Sequence, residues 1–197
     1  LFPYTTLFRS GRLFLTDIFP DVGRVIYLDC DTLVLGDVRS LYAQGDKLTP
    51  ERYLAAVPHF FPAFLYFSNP FKIFDDLRKF ESTFNSGVLL IDLNYWTEET
   101  YTLLKHYLNL DAKHDYRLFQ LGDETIFNLM FKSYIQLDSS WNACGYGQLR
   151  LVAKILSRPI EKINIIHWSG GYHKPWQGEQ VIHSDLWRSY HQPLKLA

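Results

Sequence analysis

At 197 residues, with 47% hydrophobic and 17% aromatic side chains, the chain carries enough apolar volume for one domain with a sizeable core, which excludes a disordered segment. Its 20 basic and 21 acidic residues leave a formal net charge of −1, so no overall field draws it to nucleic acid. No run reaches the ~18 to 20 uninterrupted apolar residues that a membrane-spanning helix needs.

Leu1 to Ser10 lacks the charged-then-apolar layout of a signal peptide and matches the translation of a common sequencing-adapter oligonucleotide. It is set aside, and a single domain is expected over residues 11–197. Leu13 to Phe19 suits a short helix before the turn Pro20-Asp21-Val22-Gly23. Arg24 to Leu28 is apolar and β-branched, of strand length, and it ends in Asp29-Cys30-Asp31. Alternate residues leave a strand on the same side, so the two carboxylates converge and Cys30 points the other way. Two readings stand: solvated carboxylates opening a turn, or a divalent-cation site that relieves their repulsion. Cys30 and Cys144 are too few and too far apart for a disulfide framework, and they read as free buried thiols in a reducing compartment.

Leu33 to Leu35 resumes the apolar run, and Gly36 to Tyr42 reads as a turn and a short helix. A polar passage from Ala43 to Arg52 follows. Tyr53 to Val57 is a further strand, ending at Pro58-His59. The aromatic run Phe60 to Phe67, broken by Pro62, fits a core segment or a surface loop against a bilayer or substrate. Phe71 to Phe80 has helical apolar spacing.

Asn85-Ser86-Gly87 introduces an apolar strand that runs to Leu93; the glycine permits close backbone approach and the amide can both donate and accept. Thr97 to Leu110 is an amphipathic helix with Leu103, Leu104, Tyr107 and Leu108 inward. Leu121 to Met130 opens a second helix, whose Asp123 and Glu124 suit a helix N-terminus electrostatically. Ser133 to Leu137 reads as a strand, Trp141-Asn142 as a turn, and Leu149 to Ser157 as a helix without chemical features. Ile163 to His167 is a buried strand delivering a histidine into a loop with Gly170, Gly171 and Lys174. A short tail helix places Trp187 and Tyr190 over the sheet.

Four segments in this order, IYLDCDTLVLGDVRSLY, Asn85-Ser86-Gly87-Val88-Leu89-Leu90-Ile91, Asp123-Glu124 with Asn128, and His167 followed by Lys174-Pro175-Trp176, resemble glycosyltransferase family 8. That family includes bacterial lipopolysaccharide galactosyl- and glucosyltransferases and the glycogenins. The resemblance implies an α/β, GT-A-type nucleotide-diphospho-sugar transferase fold, with a mixed, mostly parallel sheet flanked by helices and its first strands missing. It implies that Asp29, Asp31 and His167 hold a divalent metal. One imidazole among oxygen ligands favours Mn²⁺, with Mg²⁺ as the alternative. Arg12, Lys174 and the amide of Gly170 or Gly171 would hold the donor, and Asn85 and Asp123 its sugar. The loop from His167 to Lys174 is one residue longer than the family pattern if Gly170 is the matching glycine. Glu124 replaces a glutamine that lies beneath the anomeric carbon, Thr125 replaces a second aspartate, and His59 stands where relatives carry an aspartate.

The function implied is metal-dependent, configuration-retaining transfer of a hexose or related sugar from a UDP-sugar to a glycan or glycolipid acceptor, such as lipopolysaccharide or a cell-surface saccharide. The protein would work in the cytoplasm, at most peripherally at the inner face of the membrane, with no nucleic-acid partner. Double displacement and front-side attack both give retention, and Glu124 keeps the first open. An inactive metal-binding remnant and a carbohydrate-binding module are the competing readings. Sugar identity, acceptor and oligomeric state are not encoded in these motifs.

Overall fold

The computed structural model describes residues 11–59, 82–177 and 181–190. The first ten residues, the aromatic run 60–67 and the helix expected over 71–80 lie outside the described residues. In chain order the elements are α1 (Leu15–Ile18), β1 (Arg24–Leu28), β2 (Thr32–Val34), α2 (Val38–Tyr42), β3 (Leu54–His59), β4 (Thr83–Asp92), α3 (Glu98–Ala112), α4 (Asp123–Met130), β5 (Ile135–Gln136), α5 (Arg150–Leu156), β6 (Ile165–His167) and α6 (Ser184–Tyr190). They fall into two compact units, one of residues 1–27 and 39–137, the other of residues 28–38 and 138–197.

The first unit is built on a mixed sheet ordered β1-β4-β3-β5. β3 runs antiparallel to β4, with Leu54 opposite Ile91, and parallel to β5, with Ala55 opposite Ile135. The β3–β4 register slips between Ala56 and Pro58, where proline has no N–H to give to the ladder. β4 is the long central strand: Val88 to Ile91 are fully buried, which explains why its apolar run is continuous rather than alternating. Leu89 and Ile91 pack with Phe84, Trp96, Leu104, Phe127 and Tyr134 in the core, each such side chain contributing about 1.5–3 kcal/mol by leaving water.

α3 starts at Thr97, whose N–H donates to Thr100 Oγ1 at 3.3 Å. It buries Thr100, Leu104 and Tyr107, spaced four and three residues apart, with Leu108 partly buried beside them. Leu103 was expected on this face but is 37% exposed; it lies on the shoulder of the stripe and lines a surface groove with Glu98, Glu99, His106 and Lys132.

In the second unit β2 and β6 pair antiparallel, Thr32 opposite His167. Ala143, Tyr146, Ile163, Ile166 and Trp168 form its core, with Leu186 and Trp187 of α6 against them. Tyr190, expected to pack over the sheet with Trp187, is 62% exposed; it is the last residue of α6, where the helix ends. The cysteines also differ from expectation. Neither forms a disulfide, but Cys30 is exposed and Cys144 half-buried. Cys30 sits in the loop between two inward-turned aspartates, so alternation directs its thiol to solvent.

Candidate active site

The acidic loop begins where β1 ends, and β2 resumes one residue after Asp31. Thr32 Oγ1 donates to the Asp29 carbonyl at 2.8 Å, and the Trp168 N–H donates to the Asp31 carbonyl at 2.9 Å. These bonds fix the loop against the end of β6, which carries His167. The ligand atoms of Asp29, Asp31 and His167 all lie within 4.8 Å of one another. His167 Nε2 is 3.2 Å from Asp31 Oδ1 and 3.8 Å from Asp29 Oδ2.

The imidazole is buried, and its Nδ1 is 2.9 Å from Asn142 Oδ1. An amide oxygen only accepts, so this contact places a proton on Nδ1 and directs Nε2 at the carboxylates, the nitrogen that would serve as a metal ligand. Two carboxylate oxygens and one imidazole nitrogen, all within 4.8 Å of one another, form a donor set that a divalent cation fits. Sequence reading did not give Asn142 this task; the only local signal was its place in Trp141-Asn142.

Lys174 adds a cation to the same cluster, donating to Asp31 Oδ2 at 2.6 Å and to the Trp168 carbonyl at 2.6 Å. Burial alone would raise the Asp31 carboxyl, but the hydrogen bond and charge of His167, and then those of Lys174, outweigh it and hold the group well below the usual carboxylate range. The loop that carries Lys174 is tied to Gly147, whose N–H donates to the Ser169 carbonyl while its own carbonyl accepts from Tyr172 and His173 N–H at 3.1 and 3.0 Å. A Cβ on Gly147 would collide with the carbonyl oxygens of Trp168, Ser169 and His173. Gly170, at φ +114°, packs against the Gly147 backbone, whereas Gly171 faces open space. The glycine requirement therefore falls on Gly170, and Gly171 has room beside it for a ligand.

The first unit gathers the other expected residues. Gly122, at φ 57° and ψ −123°, turns the chain into α4, whose first turn carries Asp123 and Glu124. Asn128, one turn along, clamps this helix to β4: its amide accepts from Phe84 N–H and donates to Phe84 and Glu124 carbonyls, each at 2.9 Å. Glu124 Oε2 thereby meets the start of β4 and accepts from Asn85 Nδ2 at 2.8 Å, Ser86 N–H at 3.2 Å and Ser86 Oγ at 3.4 Å. Arg12, expected at the donor, is buried against Asp123, with Nε donating to Oδ2 at 2.8 Å and Nη1 donating to the Ser86 carbonyl at 2.6 Å. Its guanidinium lies over the rings of Tyr27 and Phe127. Ser86, for which the sequence suggested no role of its own, holds both Arg12 and Glu124. His59 ends β3 half-buried, its carbonyl accepting from Thr83 Oγ1 at 3.2 Å.

Residues 4–180 match the family model described as Glycosyl transferase family 8, and the chain belongs to that family. It is 32% identical over 195 residues to the Arabidopsis thaliana "Probable galacturonosyltransferase-like 10", a match covering 91% of this chain and 52% of that protein. A second Arabidopsis relative, "Probable galacturonosyltransferase-like 9", is 33% identical over 175 residues, covering 84% and 44%. The chain thus spans about half the length of the curated relatives it matches. Among solved structures it is similar to the apo form of the glycosyltransferase GlyE of Streptococcus pneumoniae TIGR4, with TM-score 0.66 and 30% identity over 93% of this chain and 42% of that one. An active-site variant of LgtC, at 21% identity, shares the fold with TM-score 0.65 over 92% of this chain and 65% of that one. The architecture is accordingly of the GT-A type. Among the described residues no helix is long and apolar enough to cross a membrane.

Proposed function

We propose that this chain is the catalytic part of a metal-dependent, retaining glycosyltransferase that moves a hexose or related sugar from a UDP-sugar to a glycan or glycolipid acceptor. The observation that carries the reading is the Asp29, Asp31 and His167 cluster, whose donor atoms lie within 4.8 Å in a chain of this family. A divalent cation held there, Mn²⁺ by its donor set, would supply charge to stabilise the departing diphosphate. Lys174 would add a movable ammonium for the diphosphate oxygens, with the open backbone at Gly171 beside it, and Gly170 would hold the loop in shape.

In the first unit Asp123 and Asn85 are proposed as sugar-hydroxyl partners, with Arg12 holding the Asp123 carboxylate in place rather than meeting the donor itself. Glu124 takes the place of the family's glutamine. Its Oε2 already accepts three hydrogen bonds, which lowers its nucleophilicity and favours front-side attack over a covalent glycosyl intermediate. The names of the relatives, galacturonosyltransferase-like, make UDP-galacturonate the first donor to try. Lipopolysaccharide or another cell-surface saccharide is the proposed acceptor class, and the cytoplasmic face of a membrane the proposed place of work.

The test is UDP-sugar hydrolysis and transfer by the chain, and by a longer version extended to the length of its relatives, with Mn²⁺ and with chelator. Chelator-sensitive turnover that Asp31→Asn abolishes supports the proposal. Cation binding without turnover or UDP affinity in the longer version would make the chain a metal-binding remnant, and glycan binding with neither would make it a carbohydrate-binding module.

A further inference from the structure

Asp31 is engaged from two sides. Its Oδ1 faces His167 Nε2 at 3.2 Å, within the cation cluster, while its Oδ2 accepts from the Lys174 ammonium at 2.6 Å. The Lys174 side chain is 17% exposed, so its charge is partly withdrawn from water and rests on Asp31 and the Trp168 carbonyl. A divalent cation bound by Asp31 and an ammonium bonded to the same carboxylate repel each other, and the carboxylate's charge cannot fully serve both. The ammonium is also the part of this cluster best able to move: it ends a flexible four-carbon stem, while the backbone beneath it is held by Gly147 and by the Lys174 N–H donating to Gln177 Oε1 at 3.0 Å.

Resting on the function proposed above, we infer that Lys174 is a competing counter-ion for the cation site as well as a diphosphate ligand, weakening cation binding until a diphosphate draws its ammonium away from Asp31. Cation and diphosphate then bind with positive coupling, and by linkage each tightens the other to the same degree. The competing idea is that Lys174 only orients Asp31. It predicts the opposite sign, since a loosened carboxylate would bind a cation more weakly.

The experiment is calorimetric titration of the full chain with Mn²⁺ alone, and separately with the preformed Mn²⁺–pyrophosphate complex. Lys174→Met should bind Mn²⁺ alone about tenfold tighter than the unaltered protein, because a positive charge has left the cluster. The same variant should bind the pyrophosphate complex about tenfold more weakly, having lost a phosphate ligand. Lys174→Gln, which keeps a donor for the Trp168 carbonyl, should shift both affinities in the same directions, and circular dichroism would verify that both variants fold. Lys154→Met removes an equal charge from the exposed face of α5 and should leave both titrations unchanged. Equal or weaker Mn²⁺ binding by the folded Lys174 variants overturns the inference. Failure of every protein, Lys174→Met included, to bind Mn²⁺ would instead refute the cation site itself, and the inference with it.

Discussion

The buried pair of Arg12 and Asp123 offers a measurement that depends on no ligand. Their side chains are 4% and 8% exposed, so each ion has lost most of its hydration and relies on the other. Arg12→Met keeps apolar bulk over Tyr27 and Phe127 but leaves the Asp123 carboxylate buried without its counter-charge, at a cost of about 3–5 kcal/mol. At roughly 2–4 °C per kcal/mol for a chain of this size, the melting midpoint should fall by roughly 6–20 °C. Asp123→Asn should cost a similar amount, because the buried guanidinium then loses the carboxylate that balances its charge. The double variant Arg12→Met/Asp123→Asn removes both charges and should cost less than either single variant, giving a coupling of more than about 3 kcal/mol. Urea unfolding of the four proteins, followed by far-UV circular dichroism, supplies the cycle. A loss below about 1 kcal/mol for Arg12→Met, or strict additivity in the double variant, would refute the claim that this pair acts as a desolvated unit.

Glu124→Gln should preserve the fold and, in an active full-length version, much of the transfer rate, since Asn85 and Ser86 can donate to an amide oxygen as they do to Oε2; trapping a sugar covalently on Glu124 would show that the carboxylate is a nucleophile after all. Asn142→Leu frees the His167 tautomer and should weaken Mn²⁺ binding about 10- to 100-fold in a titration, with little change expected if Nδ1 needs no partner. Gly147→Ala forces a side chain into three carbonyl oxygens and should destabilise the protein by about 2–4 kcal/mol while displacing Lys174; a stable variant with unaltered cation affinity would contradict the geometry. The folded Asp31 carboxyl is held below its ordinary 3.8, so its stabilising contribution is complete above that pH and is lost as the pH falls toward the folded value. An acid titration should therefore show Asp31→Asn losing less stability below about pH 4 than the unaltered protein.

The site's local chemistry was legible from sequence where it depended on strand periodicity. Alternation along Arg24 to Asp31 put two carboxylates together, and the run Ile163 to His167 ended in a histidine that β2–β6 pairing brings beside them. What could not be read were contacts between residues far apart in the chain. Lys174 meets Asp31 across 143 positions and Arg12 meets Asp123 across 111, and no window of sequence encodes either bond. Arg12 is the instructive case, since its motif position suits a donor ligand and nothing in the sequence signals its burial over Tyr27 and Phe127. The same reason accounts for Leu103, whose helical phase alone could not tell the shoulder of a buried stripe from its centre, and for Tyr190 beside Trp187.

Gly147 also bears on how the Lys174 loop tolerates change in length. Its N–H grips Ser169 on one side and its carbonyl grips Tyr172 and His173 on the other, so the loop is an arch standing on two fixed feet with Gly170 and Gly171 as its crown. A residue gained or lost at the crown alters the height of the arch but not the position of either foot. The open space around Gly171 gives the crown room for such a change. Variation or engineered insertion at Gly171 is a route by which this loop could acquire new reach without disturbing the ammonium it carries.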